Sequence, residues 1–105
     1  MKNHTYYVYI LECVDHSYYT GITNHLEQRI KEHETGDHPT CYTYSRRPVV
    51  LKFVESYQFV EDAIAREKQI KRWSRAKKEA LMREDFEKLM QLAKNRVKER
   101  QERIR

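Results

Sequence analysis

Phenols, a guanidinium, an imidazole and a carboxylate are side chains with which proteins handle phosphate esters. This chain places three of those four types within 28 residues. Tyr6-Tyr7-Val8-Tyr9-Ile10-Leu11 and Tyr18-Tyr19-Thr20-Gly21-Ile22-Thr23 supply the phenols, and Leu26-Glu27-Gln28-Arg29-Ile30-Lys31-Glu32-His33 supplies the rest. Arg29 and His33 are four residues apart, the spacing that sets two side chains beside each other on a helix. An arginine grips phosphate oxygens in a bidentate manner, and a histidine moves protons near neutral pH. The plain alternative is Arg29 paired with Glu32 or Glu34 in solvent and His33 on the surface.

The missing carboxylate is Glu67. On a helix over 60–73, steps of about 100° gather Val60, Ala63, Ile64 and Ile70 on one side. Glu67 falls in the middle of that stripe. A core-facing carboxylate without a partner is costly, so Glu67 requires a cation, a metal or hydrogen-bond donors. A buried ion pair, for example with Arg29, and a metal site both satisfy that requirement.

The elements that position these groups are legible in outline. Residues 6–13 read as a β-rich strand, apolar on both faces and therefore central. Val14-Asp15-His16-Ser17 makes a turn into a second strand at 18–23, where Gly21 marks a close approach. Asn24, with Glu27 completing a capping box, opens a helix that ends at Gly36. A loop at 37–48 leads to a third strand at 49–57 and the helix at 60–73. Ser74 caps a further helix that runs toward a charged tail. The expected class is α/β (α+β), a small three-stranded antiparallel sheet flanked by helices in the order β-β-α-β-α-α. Residues 1–82 form the domain, and 83–105 are read as its C-terminal amphipathic extension.

With 105 residues, 35% charged and 39% hydrophobic, the chain suits one soluble domain. No apolar run reaches the roughly 20 residues of a membrane span, and Met1-Lys2-Asn3-His4 lacks a signal-peptide core. Cys13 and Cys41 have no metal-ligand spacing and read as reduced thiols, so a cytoplasmic location is expected. The net charge of +5 is uneven: residues 1–44 carry −3 and residues 45–105 carry +8. The stretch 66–78 holds Arg66, Lys68, Lys71, Arg72, Arg75, Lys77 and Lys78 against Glu67 alone. Such a concentration attracts polyanions or forms a solvated helix face.

These residues carry a resemblance. The chain looks like the GIY-YIG nuclease superfamily, in particular its small stand-alone bacterial members. Tyr7-Val8-Tyr9 corresponds to the first motif and Tyr19-Thr20-Gly21 to the second. Arg29 matches the helix arginine, His33 the histidine one turn later, and Glu67 the metal-binding glutamate. Tyr42-Thr43, Arg46-Arg47-Pro48 and Ile70-Lys71-Arg72-Trp73-Ser74 extend the likeness, which spans roughly 5–82. Tyr7 stands where the family name has Gly, and Thr20 where it has Ile.

The resemblance implies hydrolysis of DNA phosphodiesters with Mg²⁺ or Mn²⁺ held by Glu67. It gives Arg29 the role of charge stabiliser and Tyr19 that of positioning water or phosphate. It gives Tyr9 the proton of the attacking water, directly or through His33. An ordinary phenol, with a pKa near 10, is a poor base at neutral pH, so the proton acceptor is left open between Tyr9 and His33. Tyr42, Arg46, Arg47, Lys71, Arg72 and Arg75 are expected to contact nucleic acid, with Tyr42 stacking on unpaired bases. The expected substrate is single-stranded or branched DNA, reached alone or through a targeting partner protein.

Met82, Phe86, Leu89, Ala93 and Val97 make an apolar stripe expected to pack on the protein's own sheet, favouring a monomer over a dimer. The competing functions are a nucleic-acid-binding module of the same fold without turnover and an adaptor acting through that stripe.

Overall fold

The computed structural model describes residues 4–83 together with 91 and 94. It divides into two compact units, Met1–Arg72 and Trp73–Arg105. In the first, strand β1 (Tyr6–Glu12) runs antiparallel to β2 (Tyr18–Thr23) on one side and to β3 (Val50–Tyr57) on the other. The sheet order is β2-β1-β3, so the strand rich in apolar residues on both faces is the central one. Helix α1 (Leu26–Thr35) follows β2, a short 3₁₀ turn (Tyr44–Arg46) precedes β3, and α2 (Val60–Lys71) packs against all three strands. The second unit holds α3 (Arg75–Met82). The antiparallel sheet and the β-β-α-β-α-α order are as the sequence predicts.

Alternation along β1 sorts its side chains into two layers. Tyr9, Leu11 and Cys13 join Val49 in a buried cluster over which Tyr19, Leu26 and Ile30 pack. Val8 and Ile10 face the other way and are fully buried. Leu26 and Ile30, four residues apart, therefore seat α1 on the Tyr9 layer, and Arg29 and His33 arrive with it.

Several local features differ from expectation. Helix α1 begins at Leu26 with His25 at its cap and no side-chain cap bond, so Asn24 does not cap it. Thr23 takes over the turn, its Oγ1 accepting from the His25 amide at 3.0 Å. At the other end Gly36 adopts φ 73°, the left-handed stop the sequence implies. Ser74 caps α3 through its side-chain oxygen, as expected. On α2, Ala63 and Ile70 are buried but Ile64 is 40% exposed. The apolar stripe is thus narrower than its periodicity suggests. The Arg66 Nε donates to Glu55 Oε1 at 2.9 Å, and the Tyr57 hydroxyl donates to the same oxygen, tying β3 to α2. Burial and the Glu55 carboxylate push the Tyr57 phenol up to about 12. Phe86, Leu89, Ala93 and Val97 of the expected C-terminal stripe lie outside the described residues. Among those described, no helix is long and apolar enough to cross a membrane.

Thr20, on the central part of β2, is 4% exposed, and its hydroxyl finds no hydrogen-bond partner among the described residues. Valine has the same shape without the polar atom. Thr20→Val is therefore expected to stabilise the protein by about 1 kcal/mol and raise Tm by roughly 4–8 °C. A thermal melt showing no increase would remove the argument.

Candidate active site

The geometry of the site starts from strand register. Tyr9 stands opposite Gly21 and Leu11 opposite Tyr19, which puts both tyrosines on one face as diagonal neighbours. Gly21 has no side chain, so the Tyr9 ring lies across it. A Cβ at Gly21 would come within 2.4 Å of Tyr9 Cζ and Oη. The two tyrosine rings are 6.3 Å apart. His33, descending from α1, meets both, at 5.7 Å from the Tyr9 ring and 5.1 Å from the Tyr19 ring.

Hydrogen bonds then define the cluster. Tyr9 Oη is 2.8 Å from His33 Nε2, and His33 Nδ1 is 2.7 Å from Thr43 Oγ1. The Thr43 hydroxyl in turn donates to Cys41 Sγ at 3.5 Å. Arg29 donates through Nη1 to Glu32 Oε2 at 3.0 Å, and its charge is felt at the Tyr9 phenol. His33 is thus not the surface residue of the plain alternative; it is 3% exposed, and Tyr9 is 1% exposed. Arg29 keeps 29% of its side chain open to solvent. Arg29 and the half-buried Tyr19 form the outer layer, with Tyr9 and His33 behind them.

Electrostatics follow from that layering. Burial and the neighbouring Tyr19 raise the Tyr9 phenol well above its ordinary value, against the opposing pull of Arg29. Burial, reinforced by the Arg29 charge, lowers the His33 imidazole to about 4, so it is neutral at physiological pH. Burial also raises Tyr19, and Arg29 and Lys71 moderate the shift. Burial works against the Cys41 thiolate, but hydrogen bonds from Thr43 and Tyr19 bring the thiol below its usual value.

Glu67 connects through Lys71. The Lys71 Nζ is 2.9 Å from Glu67 Oε1, and the same ammonium is felt at the Tyr19 phenol. Glu67 is half-buried, with 15% side-chain exposure, and its cation is Lys71 rather than Arg29. Among the described residues no three His, Cys, Asp or Glu side chains cluster into a caged metal site.

The remaining predicted residues are distributed. Tyr42 is 42% exposed, stacks on Tyr19 at 6.3 Å and carries the Arg46 guanidinium 3.7 Å from its ring centre. Arg46 also reaches the Tyr42 carbonyl at 2.8 Å and Asp15 at 3.3 Å. Arg47 donates to the Tyr44 carbonyl at 2.9 Å and lies against Gly36. Arg72 is the exposed C-cap of α2. Arg75 belongs to the second unit, with its Nε 2.9 Å from Glu79. Two residues of the cluster, Cys41 and Thr43, were not among the predicted site residues. The signal available for them was their neighbour Tyr42 and the polar loop that carries all three.

Comparison with known proteins places the chain in a family and supports its fold. Residues 5–80 match the family described as the GIY-YIG catalytic domain. A UPF0213 protein of Syntrophus aciditrophicus is 45% identical over 83 residues, covering 79% of this chain and 95% of that one. A UPF0213 protein of Halobacterium salinarum is 46% identical over 76 residues, covering 72% and 97%. The solution NMR structure of the protein EF2693 from E. faecalis superposes with a TM-score of 0.57 at 32% identity, covering 82% and 92%.

Proposed function

Because the chain belongs to the GIY-YIG catalytic domain family, a family of nucleases, we propose that it is a divalent-metal-dependent endonuclease hydrolysing phosphodiester bonds of single-stranded or branched DNA. The observation that carries the reading is the 2.8 Å contact between Tyr9 Oη and His33 Nε2 beside the Arg29 guanidinium. It joins a proton acceptor, a proton carrier and a phosphate-binding cation in one place.

The residues fit a hard cation of the Mg²⁺ type. Such an ion keeps several of its waters and needs only one or two carboxylates plus substrate phosphate. Glu67 offers one carboxylate, already matched to a cation in Lys71. Bound there, a divalent ion supplies charge stabilisation at the phosphate and the departing oxygen.

The remaining chemistry belongs to the chain. Arg29, open to solvent, receives the phosphate and stabilises the charge that develops on it. Tyr19, half-exposed beside it, positions the phosphate or the attacking water. Burial and the neighbouring Tyr19 disfavour a standing phenolate at Tyr9. Tyr9 instead takes the proton of water while passing its own to His33 Nε2, so no phenolate accumulates. The Arg29 charge is one of the causes that hold His33 low. A phosphate anion on Arg29 offsets that cause and raises the basicity of His33 when substrate is bound. Arg46, Lys71 and Arg72 supply contacts to the DNA backbone.

The test is a cleavage panel of single-stranded, duplex and branched DNA and of RNA, with Mg²⁺ and Mn²⁺. Metal-dependent cutting of DNA, lost on chelation, is the expected result. DNA binding without cleavage across all metals and substrate forms would overturn the reading and leave a nucleic-acid-binding module.

A further inference from the structure

The exchange between Tyr9 and His33 works only if His33 Nε2 presents a lone pair, and that depends on which ring nitrogen carries the hydrogen. Thr43, from the loop after α1, is 1% exposed with its Oγ1 2.7 Å from His33 Nδ1. A threonine hydroxyl has one hydrogen to give. Thr43 gives it to Cys41 Sγ, so its oxygen meets His33 as an acceptor. That arrangement favours the hydrogen of His33 on Nδ1, with the Nε2 lone pair toward Tyr9 Oη at 2.8 Å. The opposite tautomer would turn the Thr43 hydroxyl to donate to Nδ1, with the Cys41 thiol then donating to the Thr43 oxygen.

Building on the nuclease reading, we propose that Thr43 is a positioning residue whose buried hydroxyl holds His33 in the Nδ1–H tautomer, leaving Nε2 free to take the Tyr9 proton. Thr43 touches neither substrate nor metal in this role and acts only through His33. A ring nitrogen held by a buried hydrogen bond is also how other catalytic imidazoles keep one tautomer.

The test pairs ¹⁵N NMR of the His33 ring with steady-state cleavage. The parent protein is expected to show protonated Nδ1 and unprotonated Nε2. Thr43→Val, equal in shape, is expected to shift the ring toward Nε2–H and lower kcat roughly 100-fold with KM unchanged. Thr43→Ser is expected to restore both the tautomer and the rate. A parent ring protonated on Nε2 would overturn the proposal, as would Thr43→Val with unchanged tautomer and kcat. If the valine variant does not fold, the parent spectrum and the serine variant decide the matter. If the parent cuts no DNA in any form, the nuclease reading fails, while the ring spectra still decide whether Thr43 sets the tautomer.

Discussion

Arg29→Ala and Glu67→Ala are each expected to reduce DNA cleavage to about a hundredth to a thousandth of the parent rate, with the fold intact. Arg29 is the partly exposed cation of the cluster, hydrogen-bonded to Glu32 and acting electrostatically on the Tyr9 phenol. Its removal takes away the guanidinium that, on the nuclease reading, receives the phosphate in front of Tyr9 and His33. Glu32 keeps a second partner in His38 at 3.0 Å, so the loss is not structural. Arg29→Lys restores only part of the rate, since an ammonium lacks the planar fork. Glu67→Ala breaks an i,i+4 pair whose lysine is 54% exposed, a pair of small value to stability. Single-turnover cleavage measures the rate, and manganese titration followed by electron paramagnetic resonance separates the two variants. Weakened Mn²⁺ binding is expected for Glu67→Ala but not for Arg29→Ala. Parent-like cleavage in either variant would remove that residue from the mechanism.

Gly21→Ala is expected to cost about 2–3 kcal/mol of stability and about 100-fold in cleavage, although it adds a single methyl group. Its β-carbon would lie 2.4 Å from Tyr9 Cζ and Oη. Tyr9 is 1% exposed and held by His33, so its ring has no free space to enter. The clash must shift the ring or the strand, and either movement displaces Oη from His33 Nε2. Gly21 is required for space rather than for a left-handed backbone, which among the glycines only Gly36 adopts. Urea unfolding and cleavage assays on one preparation check both effects. A variant matching the parent in both would mean that the strand accommodates the methyl group without moving Tyr9.

Much of this arrangement was legible beforehand for reasons that are local. β1 reads as central because both of its alternating sets are apolar, and it is the middle strand of the sheet. Leu26 and Ile30 mark the inward edge of α1, and that edge carries Arg29 and His33 toward the tyrosines. Gly36 stops the helix as expected, and Ser74 caps the next. The misreadings are also local. Asn24 has the composition of a cap, but the turn is closed by Thr23 and the helix starts from His25. Ile64 has the periodicity of a core residue but is 40% exposed, because the buried face of α2 is only as wide as Ala63 and Ile70.

Sequence alone determined the order of elements, the helix stop and the short list of chemical groups, because each depends on residues within a few positions of one another. The tertiary structure decided which of those groups meet. Register set Tyr9 over Gly21 and beside Tyr19, and packing of α1 set His33 behind Arg29. A loop residue ten positions from His33 brought its hydroxyl within 2.7 Å of the ring, and Lys71 rather than Arg29 became the partner of Glu67. Apart from the i,i+4 pair of Glu67 and Lys71, these are contacts between side chains distant along the chain, and their geometry exists only once the sheet and helices have closed on one another.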